Sequence, residues 1–142
     1  MARNVSKSKN RSTNKRFVGL PYECVIHENY TALSSHAVKL LIDIYLQYNG
    51  RNNGDLSAPW SLMKARGWRS PGTLNRAIKE LLFYGWIIRS RVGGLNKCTL
   101  YAVTFQPIDE CNHKNGASKL DISPTHKPSR YWAEIKSGSP HA

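Results

Sequence analysis

The chain has 142 residues, 40% of them hydrophobic, which allows one domain with a modest core plus tails. Its 21 lysines and arginines against 9 acidic residues give a net charge of +12. This charge favours a polyanionic partner, because binding of protein cations to phosphates releases condensed counterions and so gains free energy. Nucleic acid is the first candidate and an anionic membrane surface the second. No apolar run approaches the roughly 18 residues of a membrane span and no signal-peptide core is found, so we expect a cytoplasmic protein with no membrane partner.

Residues 1–16 are predicted to form a disordered basic arm. The segment contains six lysines and arginines and no acidic residue, so it has almost nothing to bury. Such an arm can reach phosphates or the minor groove of DNA, and its candidate contacts are Arg11, Lys15 and Arg16. The alternative is a solubilising tail without defined contacts.

The next segment, Phe17–Ile26, is apolar but interrupted by Gly19 and Pro21. We expect an extended lead-in with one short strand, because these residues disfavour a regular element. The side chains expected to pack on the domain are Phe17, Leu20 and Tyr22. His27 and Glu28 are predicted to be solvated loop residues rather than a catalytic pair, and residues 30–33 form a helical turn or a loop.

The first long helix is predicted over Ser35–Tyr48, with Ser34 as its N-cap and Asn49-Gly50 ending it. Its buried stripe has helical spacing and comprises Ala37, Leu40, Leu41, Ile44, Tyr45 and Tyr48. A second apolar row consists of Val38, Ile42 and Leu46. Two neighbours are therefore expected, the core and either a C-terminal segment or a second subunit.

Residues 51–55 form a turn by composition, and Leu56-Ser57 is a candidate short strand. A helix is predicted over Ser57–Gly67, capped by Ser57 or Ser61. Its buried side is supplied by Trp60 and Met63, which leaves Lys64 and Arg66 available for backbone phosphates. Trp68 is interpreted as a core residue, with stacking on a base as the alternative.

The stretch from 70 to 84 has the clearest helix signals in the chain. Ser70 is a good N-cap, Pro71 suits the first helical position, and Gly85 supplies a left-handed stop. The apolar stripe comprises Leu74, Ala77, Ile78, Leu81 and Leu82. The opposite face carries Asn75, Arg76 and Lys79, with Thr73 beside the N-terminus, which suits insertion into a major groove. The alternative is an ordinary solvated amphipathic helix.

A β-hairpin is predicted over residues 86–105. Trp86–Val92 and Cys98–Phe105 are rich in β-branched and aromatic residues, and Gly93-Gly94 is a turn signal. Near its tip we expect a cationic group made of Arg89, Arg91 and Lys97, beside Asn96. These residues are placed to grip a minor groove or flanking phosphates, unless the hairpin is simply solvated.

The C-terminal residues 106–142 are expected to be mostly irregular. A short helix over 129–136 is predicted to bury Trp132 and Ile135. We expect this helix to dock on the domain, for example on the second apolar row of the first long helix. The three cysteines are odd in number and form no CxxC pair, so free thiols are expected. Cys111 and His113 could supply two metal ligands, but nothing nearby completes four. No cofactor or catalytic motif is found, and we expect no enzyme.

The order helix, tight turn, helix, hairpin resembles the winged helix-turn-helix superfamily of DNA-binding proteins over Ser34 to Phe105. The residues that carry the resemblance are Gly54-Asp55-Leu56-Ser57, Gly67-Trp68-Arg69-Ser70, Leu74, Glu80-Leu81-Leu82, Gly85-Trp86-Ile87, Arg91, Gly93-Gly94 and Tyr101-Ala102-Val103-Thr104. It is most similar to the small helix-turn-helix proteins of bacterial phages, plasmids and integrated elements.

The resemblance implies an α+β, mainly α, fold: a winged helix-turn-helix domain over 17–105, with a three-helix core and a β-hairpin wing, a basic arm over 1–16 and an irregular extension over 106–142. It implies a double-stranded DNA partner, a bacterial, nucleoid-associated location and a sequence-specific transcriptional regulator, to which a homodimer would be suited. The residues expected to meet the major groove are Arg69, Ser70, Thr73, Asn75, Arg76 and Lys79. A phage or plasmid replication initiator or accessory protein, and a winged-helix protein-interaction module, are the alternatives.

Overall fold

The computed structural model describes residues 15–141, and within them the chain forms an α+β fold of five helices and a three-stranded antiparallel sheet. The helices are α1 (Tyr22–Val25), α2 (Glu28–Thr31), α3 (Ser35–Tyr45), α4 (Trp60–Ala65) and α5 (Pro71–Phe83). The strands are β1 (Leu56–Ser57), β2 (Ile87–Arg91) and β3 (Leu100–Val103), and a 3₁₀ turn spans Tyr131–Ala133. The α+β class is as predicted. None of the described helices is long and apolar enough to cross a membrane.

The N-terminal lead-in differs from its prediction, because helix α1 replaces the expected short strand. Pro21 takes the N-cap position, where its fixed φ of −59° costs nothing, and its carbonyl accepts a hydrogen bond from the Cys24 amide at 3.0 Å. Leu20 packs against the core, but Phe17 is 87% exposed and Tyr22 is 79% exposed, so the expected packing of those two rings was wrong.

His27 and Glu28 are also not loop residues. His27 is the half-buried N-cap of α2, and its Nδ1 accepts the Asn29 amide hydrogen at 3.0 Å, while Glu28 begins the helix. The imidazole also packs edge-to-face with the Trp132 ring, with ring centres 5.4 Å apart.

Helix α3 begins where the sequence predicts, with the Ser34 hydroxyl accepting the Ala37 amide hydrogen at 3.2 Å. It ends at Tyr45 rather than Tyr48, because the last turn tightens and the Tyr48 amide bonds to the Tyr45 carbonyl. The predicted stripe is buried over Ala37–Tyr45, and Tyr48, beyond the helix end, is half-buried. The second apolar row, Val38, Ile42 and Leu46, is half-buried.

The core lies between α3, α5 and one face of the sheet. Strand β3 is central, with β1 and β2 on its two sides. Leu56-Ser57 is a short strand, as predicted, and Leu56 pairs with Tyr101 of β3. The main buried side chains at the centre are Leu40, Leu41, Ile44, Leu81, Trp86, Ile87 and Val103.

Helix α4 is shorter than predicted, and neither serine caps it. Pro59 occupies the N-cap position with extended ψ of 150° and makes no side-chain cap bond, while Ser57 lies in β1 and Ser61 lies inside the helix. The helix ends at Ala65, and the chain turns away from it at Gly67, whose φ of +94° is a conformation that favours glycine. Trp68 follows and is 4% exposed, which confirms its predicted place in the core.

A buried carboxylate joins α3 to the connection between α4 and α5. Asp43 is 3% exposed and accepts hydrogen bonds from Lys39 Nζ at 2.6 Å and Trp68 Nε1 at 2.8 Å. Its second oxygen lies 3.0 Å from Arg66 Nη2. Burial alone raises the pKa of Asp43, but the hydrogen bonds from Lys39, Trp68 and Arg66 outweigh it, so the pKa lies below its usual value.

We expect Asp43→Asn to lower the free energy of unfolding by about 1–3 kcal/mol near neutral pH, because the variant loses charged hydrogen bonds whose cationic partners are half exposed and can rehydrate. A lowered folded-state pKa gives stability that is present above the unfolded value of about 3.9 and lost as pH falls through the folded value. Urea unfolding of both proteins between about pH 6 and pH 2 checks this. A wild-type advantage that does not shrink in acid would contradict it.

The C-terminal extension is tied to the same core. Asn53 is fully buried, and its side-chain amide donates to the carbonyls of Val103, Gln106 and Pro107 at 2.9–3.1 Å. Further along, Trp132 is 2% exposed and stacks on Trp86 with ring centres 5.4 Å apart. Docking of the extension was expected, but its site is Trp86 rather than the second apolar row of α3.

Two details of the extension were predicted wrongly. The segment over 129–136 contains a three-residue 3₁₀ turn instead of a helix, and Ile135 is 82% exposed instead of buried. The backbone becomes extended at Glu134, whose ψ is 135°, so the side chains of Trp132 and Ile135 do not lie on one face. All three cysteines, each within the described residues, are free thiols as expected.

Candidate nucleic-acid interface

Helix α5 is fixed at both ends by the residues that the sequence singled out. The Ser70 hydroxyl accepts the Thr73 amide hydrogen at 3.1 Å, and Pro71 is the first helical residue. At the other end Gly85 has φ +77° and its amide bonds to the Leu82 carbonyl. The helix buries Leu74, Ala77 and Leu81 against α3 and the sheet.

The opposite side of α5 faces solvent. Asn75, Arg76 and Lys79 are exposed, as is Arg69 just before the helix. Ser70 and Thr73 are half-buried, and their hydroxyls are 3.0 Å apart in a hydrogen bond. The structure therefore brings one amide and three cations to the exposed side, whereas the Ser70 hydroxyl caps the helix and donates to the Thr73 hydroxyl.

The two cations predicted on α4 have different surroundings. Lys64 is exposed to solvent. The side chain of Arg66 is 48% exposed, and its guanidinium forms an ion pair with Asp43, which holds it in one orientation and offsets part of its charge. Sequence analysis missed this pairing because the two residues are 23 positions apart.

The tip of the hairpin lies two residues beyond the predicted turn. Gly94 and Lys97 exchange two backbone hydrogen bonds of 3.1 Å, so the turn is Leu95-Asn96, and Asn96 has φ +58°. Gly93 is not part of the turn. Glycine is needed there because a Cβ would lie 2.7 Å from the Thr99 amide nitrogen. Asn96 and Lys97 are thus at the tip, as predicted.

The two hairpin arginines are not both near the tip. Arg89 is exposed in the middle of β2, opposite Tyr101. Arg91 is half-buried, and its guanidinium donates to the Cys98 carbonyl at 2.8 Å. An irregularity at Ser90 gives the two arginines consecutive pairing positions instead of alternate ones. The prediction that Arg89 lies near the tip was therefore wrong.

The basic arm is described only from residue 15 onward. Lys15 and Arg16 lie beside the C-terminal end of α3, where the Arg16 guanidinium is 3.4 Å from the Tyr48 carbonyl. Arg11 and the rest of the arm over residues 1–14 lie outside the described residues.

Positive charge is concentrated in the middle of the chain. Residues 56–108, all of them described, contain eight lysines and arginines but only one acidic residue, Glu80. That carboxylate is 7% exposed and accepts the Ser34 amide hydrogen at 2.6 Å, which fastens α5 to the start of α3. Asp55 lies just outside this range and is paired with Lys119. The surfaces of α4, α5 and the hairpin therefore carry cations without exposed carboxylates of their own.

A cleft of about 490 Å³ that sequence analysis did not anticipate lies where α3 meets the start of α5. Its walls include His36, Lys39, Trp68, Arg69 and Thr73. The Lys39 ammonium lies over the Trp68 ring, 5.3 Å from its centre. The sequence feature that could have indicated part of this cleft is the four-residue spacing of Lys39 and Asp43, which allows an ion pair on a helix. The cleft extends the cationic surface of α5 toward α3.

Comparison of this chain with protein-family models, curated proteins and solved structures finds no match. The candidate interface is accordingly defined by its own geometry: a capped helix with one buried and one cationic side, next to a basic hairpin.

Proposed function

We propose that this chain is a winged helix-turn-helix protein that binds double-stranded DNA with sequence preference, as a transcriptional regulator of a mobile element or bacterial genome. In this proposal α4, the connection over residues 66–70 and α5 form the helix-turn-helix, and β2 and β3 form the wing. The antiparallel pairing of β1 with β3 supports this arrangement, because it attaches the hairpin to the helices that precede it.

The observation that carries the proposal is the separation of charge. Eight cations and one buried acid over residues 56–108 give this part of the chain a strongly positive surface. Such a surface gains free energy by releasing counterions from DNA phosphates. Because α5 buries its apolar stripe in the core, its polar side is free to enter a major groove, which is wide enough for one α-helix.

The residue roles follow from position and chemistry. Arg76 and Lys79 on α5 would donate to guanine, and Asn75 would pair with adenine. Arg69, Ser70 and Thr73 lie at the start of the helix, where they would contact the groove edge. The wing contacts would be Arg89, Arg91, Asn96 and Lys97, and Lys64 and Arg66 would meet backbone phosphates.

Selection from a pool of randomised duplex DNA, repeated across salt concentrations, tests the proposal. We expect a recovered sequence motif and a steep fall in affinity with salt. Inverted half-sites in the motif would indicate a dimer. Retention without a motif would contradict sequence preference, and no retention at low salt would contradict DNA binding altogether.

A further inference from the structure

The tip of the hairpin carries an apolar side chain that the fold does not use. Leu95 is 91% exposed, the highest exposure of any large hydrophobic side chain among the described residues. It occupies the first of the two turn positions, and Asn96 adopts the left-handed conformation at the second. Polar residues and glycine usually fill such a turn, so folding alone gives no reason for leucine.

Hydrogen bonds fix the backbone that carries Leu95. Two backbone hydrogen bonds of 3.1 Å close it between Gly94 and Lys97, and the Gly93 amide donates to the Thr99 hydroxyl at 3.1 Å. The end of β2 is anchored as well, because the Asp121 carboxylate accepts the Val92 amide hydrogen at 3.0 Å. A backbone that is preorganised in this way loses little conformational freedom on binding.

The surroundings of Leu95 favour DNA over an apolar protein surface. Lys97 closes the same turn and Arg91 lies on the opposite strand, while the hairpin contains no acidic residue. Leu95 and Val92, the two aliphatic side chains exposed on this hairpin, are too few for a hydrophobic protein interface. Leu95 does match a minor-groove wedge, in which flanking cations meet phosphates and the apolar group enters a base step.

We infer that Leu95 is a wedge that inserts between adjacent base pairs from the minor groove and kinks the DNA, an inference that rests on the proposed function. The wing thereby gains a mechanical role besides its ionic contacts. Inserted aliphatic side chains unstack one step and bend the duplex by roughly 20–90°. Steps that unstack easily, such as TA, would then be preferred beneath the hairpin tip, although Leu95 makes no hydrogen bond to a base.

The test measures binding and bending separately, on a duplex of about 30 base pairs taken from the retained fraction of the selection. Energy transfer between dyes at the two ends reports bending, and 2-aminopurine placed at successive steps reports unstacking. The variants are Leu95→Ser and Leu95→Met, with Val92→Ser as the matched control, because Val92 is also exposed, at 68%, but lies directly after β2 and outside the turn. Since both positions are exposed, all three variants should fold, and thermal unfolding verifies this.

We expect wild type, Leu95→Met and Val92→Ser to bend the duplex alike, and Leu95→Ser to lose most of the bending and the 2-aminopurine signal while its affinity falls by no more than about tenfold. If wild type binds without bending, or if Leu95→Ser bends like wild type, the wedge is overturned and DNA binding stands. If no duplex is retained even at low salt, the proposed function fails and the wedge fails with it.

Discussion

Replacing Trp132 with alanine is expected to lower the free energy of unfolding by about 3–5 kcal/mol, the range for deleting a buried aromatic side chain. The indole is 2% exposed and stacked on Trp86 at an interplanar angle of 12°, so its removal leaves a cavity beside Trp86. The backbone next to Trp132 is closely packed, since a Cβ on Gly85 would lie 2.5 Å from the Tyr131 carbonyl oxygen. Little collapse into the cavity is therefore expected.

The structure supplies a matched control for this prediction. Ile135 lies three residues further along and is 82% exposed, so Ile135→Ala should change stability by less than about 0.5 kcal/mol. Urea unfolding followed by tryptophan fluorescence and by circular dichroism measures both variants. Equal effects of the two substitutions, or a small effect of Trp132→Ala, would show that the extension does not belong to the core.

The different environments of Trp132 and Ile135 show where sequence information ends. At a spacing of three the two residues fit one helical face, which is the pattern that predicted a short buried helix. In the structure Asn29 Nδ2 donates instead to the carbonyls of Trp132 and Glu134, at 2.8 and 2.6 Å. These bonds join residues more than 100 positions apart, and no local pattern can indicate them.

Helix α5 shows the opposite case. Its bounds depend on Ser70, Pro71 and Gly85, each of which acts within one turn of its own position. The exposure of Asn75, Arg76 and Lys79 then follows from helical periodicity, so local sequence is enough to predict this part of the candidate interface.

The remaining parts of the site depend on contacts between distant segments. The engagement of Arg66 requires Asp43 from α3, and the cleft beside Arg69 requires the same helix. In the hairpin, Gly93-Gly94 looked like the turn because glycine marks turns, yet Gly93 is there for a close approach of the backbone to Thr99. Strand register therefore places the tip at Leu95 and Asn96, and Arg89 away from it.

Arg76→Ala and Lys79→Ala are each expected to weaken binding to the selected DNA sequence by about 1–3 kcal/mol, if each side chain contacts a base edge. Both side chains are exposed on the side of α5 opposite to its buried stripe, so neither substitution should alter stability by more than about 0.5 kcal/mol. Lys127→Ala is the matched control, because it removes the same charge from an exposed position in the extension. Fluorescence anisotropy with the selected and a scrambled duplex measures all three variants.

The salt dependence of each variant separates the two kinds of contact. Loss of a base contact should reduce affinity for the selected duplex more than for the scrambled one, whereas loss of a phosphate contact should weaken both alike and reduce the salt slope by about one. If Arg76→Ala and Lys79→Ala both bind like wild type, α5 does not present this side to DNA. An equal loss for Lys127→Ala would mean that net charge alone governs binding, which would leave α5 no special part in recognition.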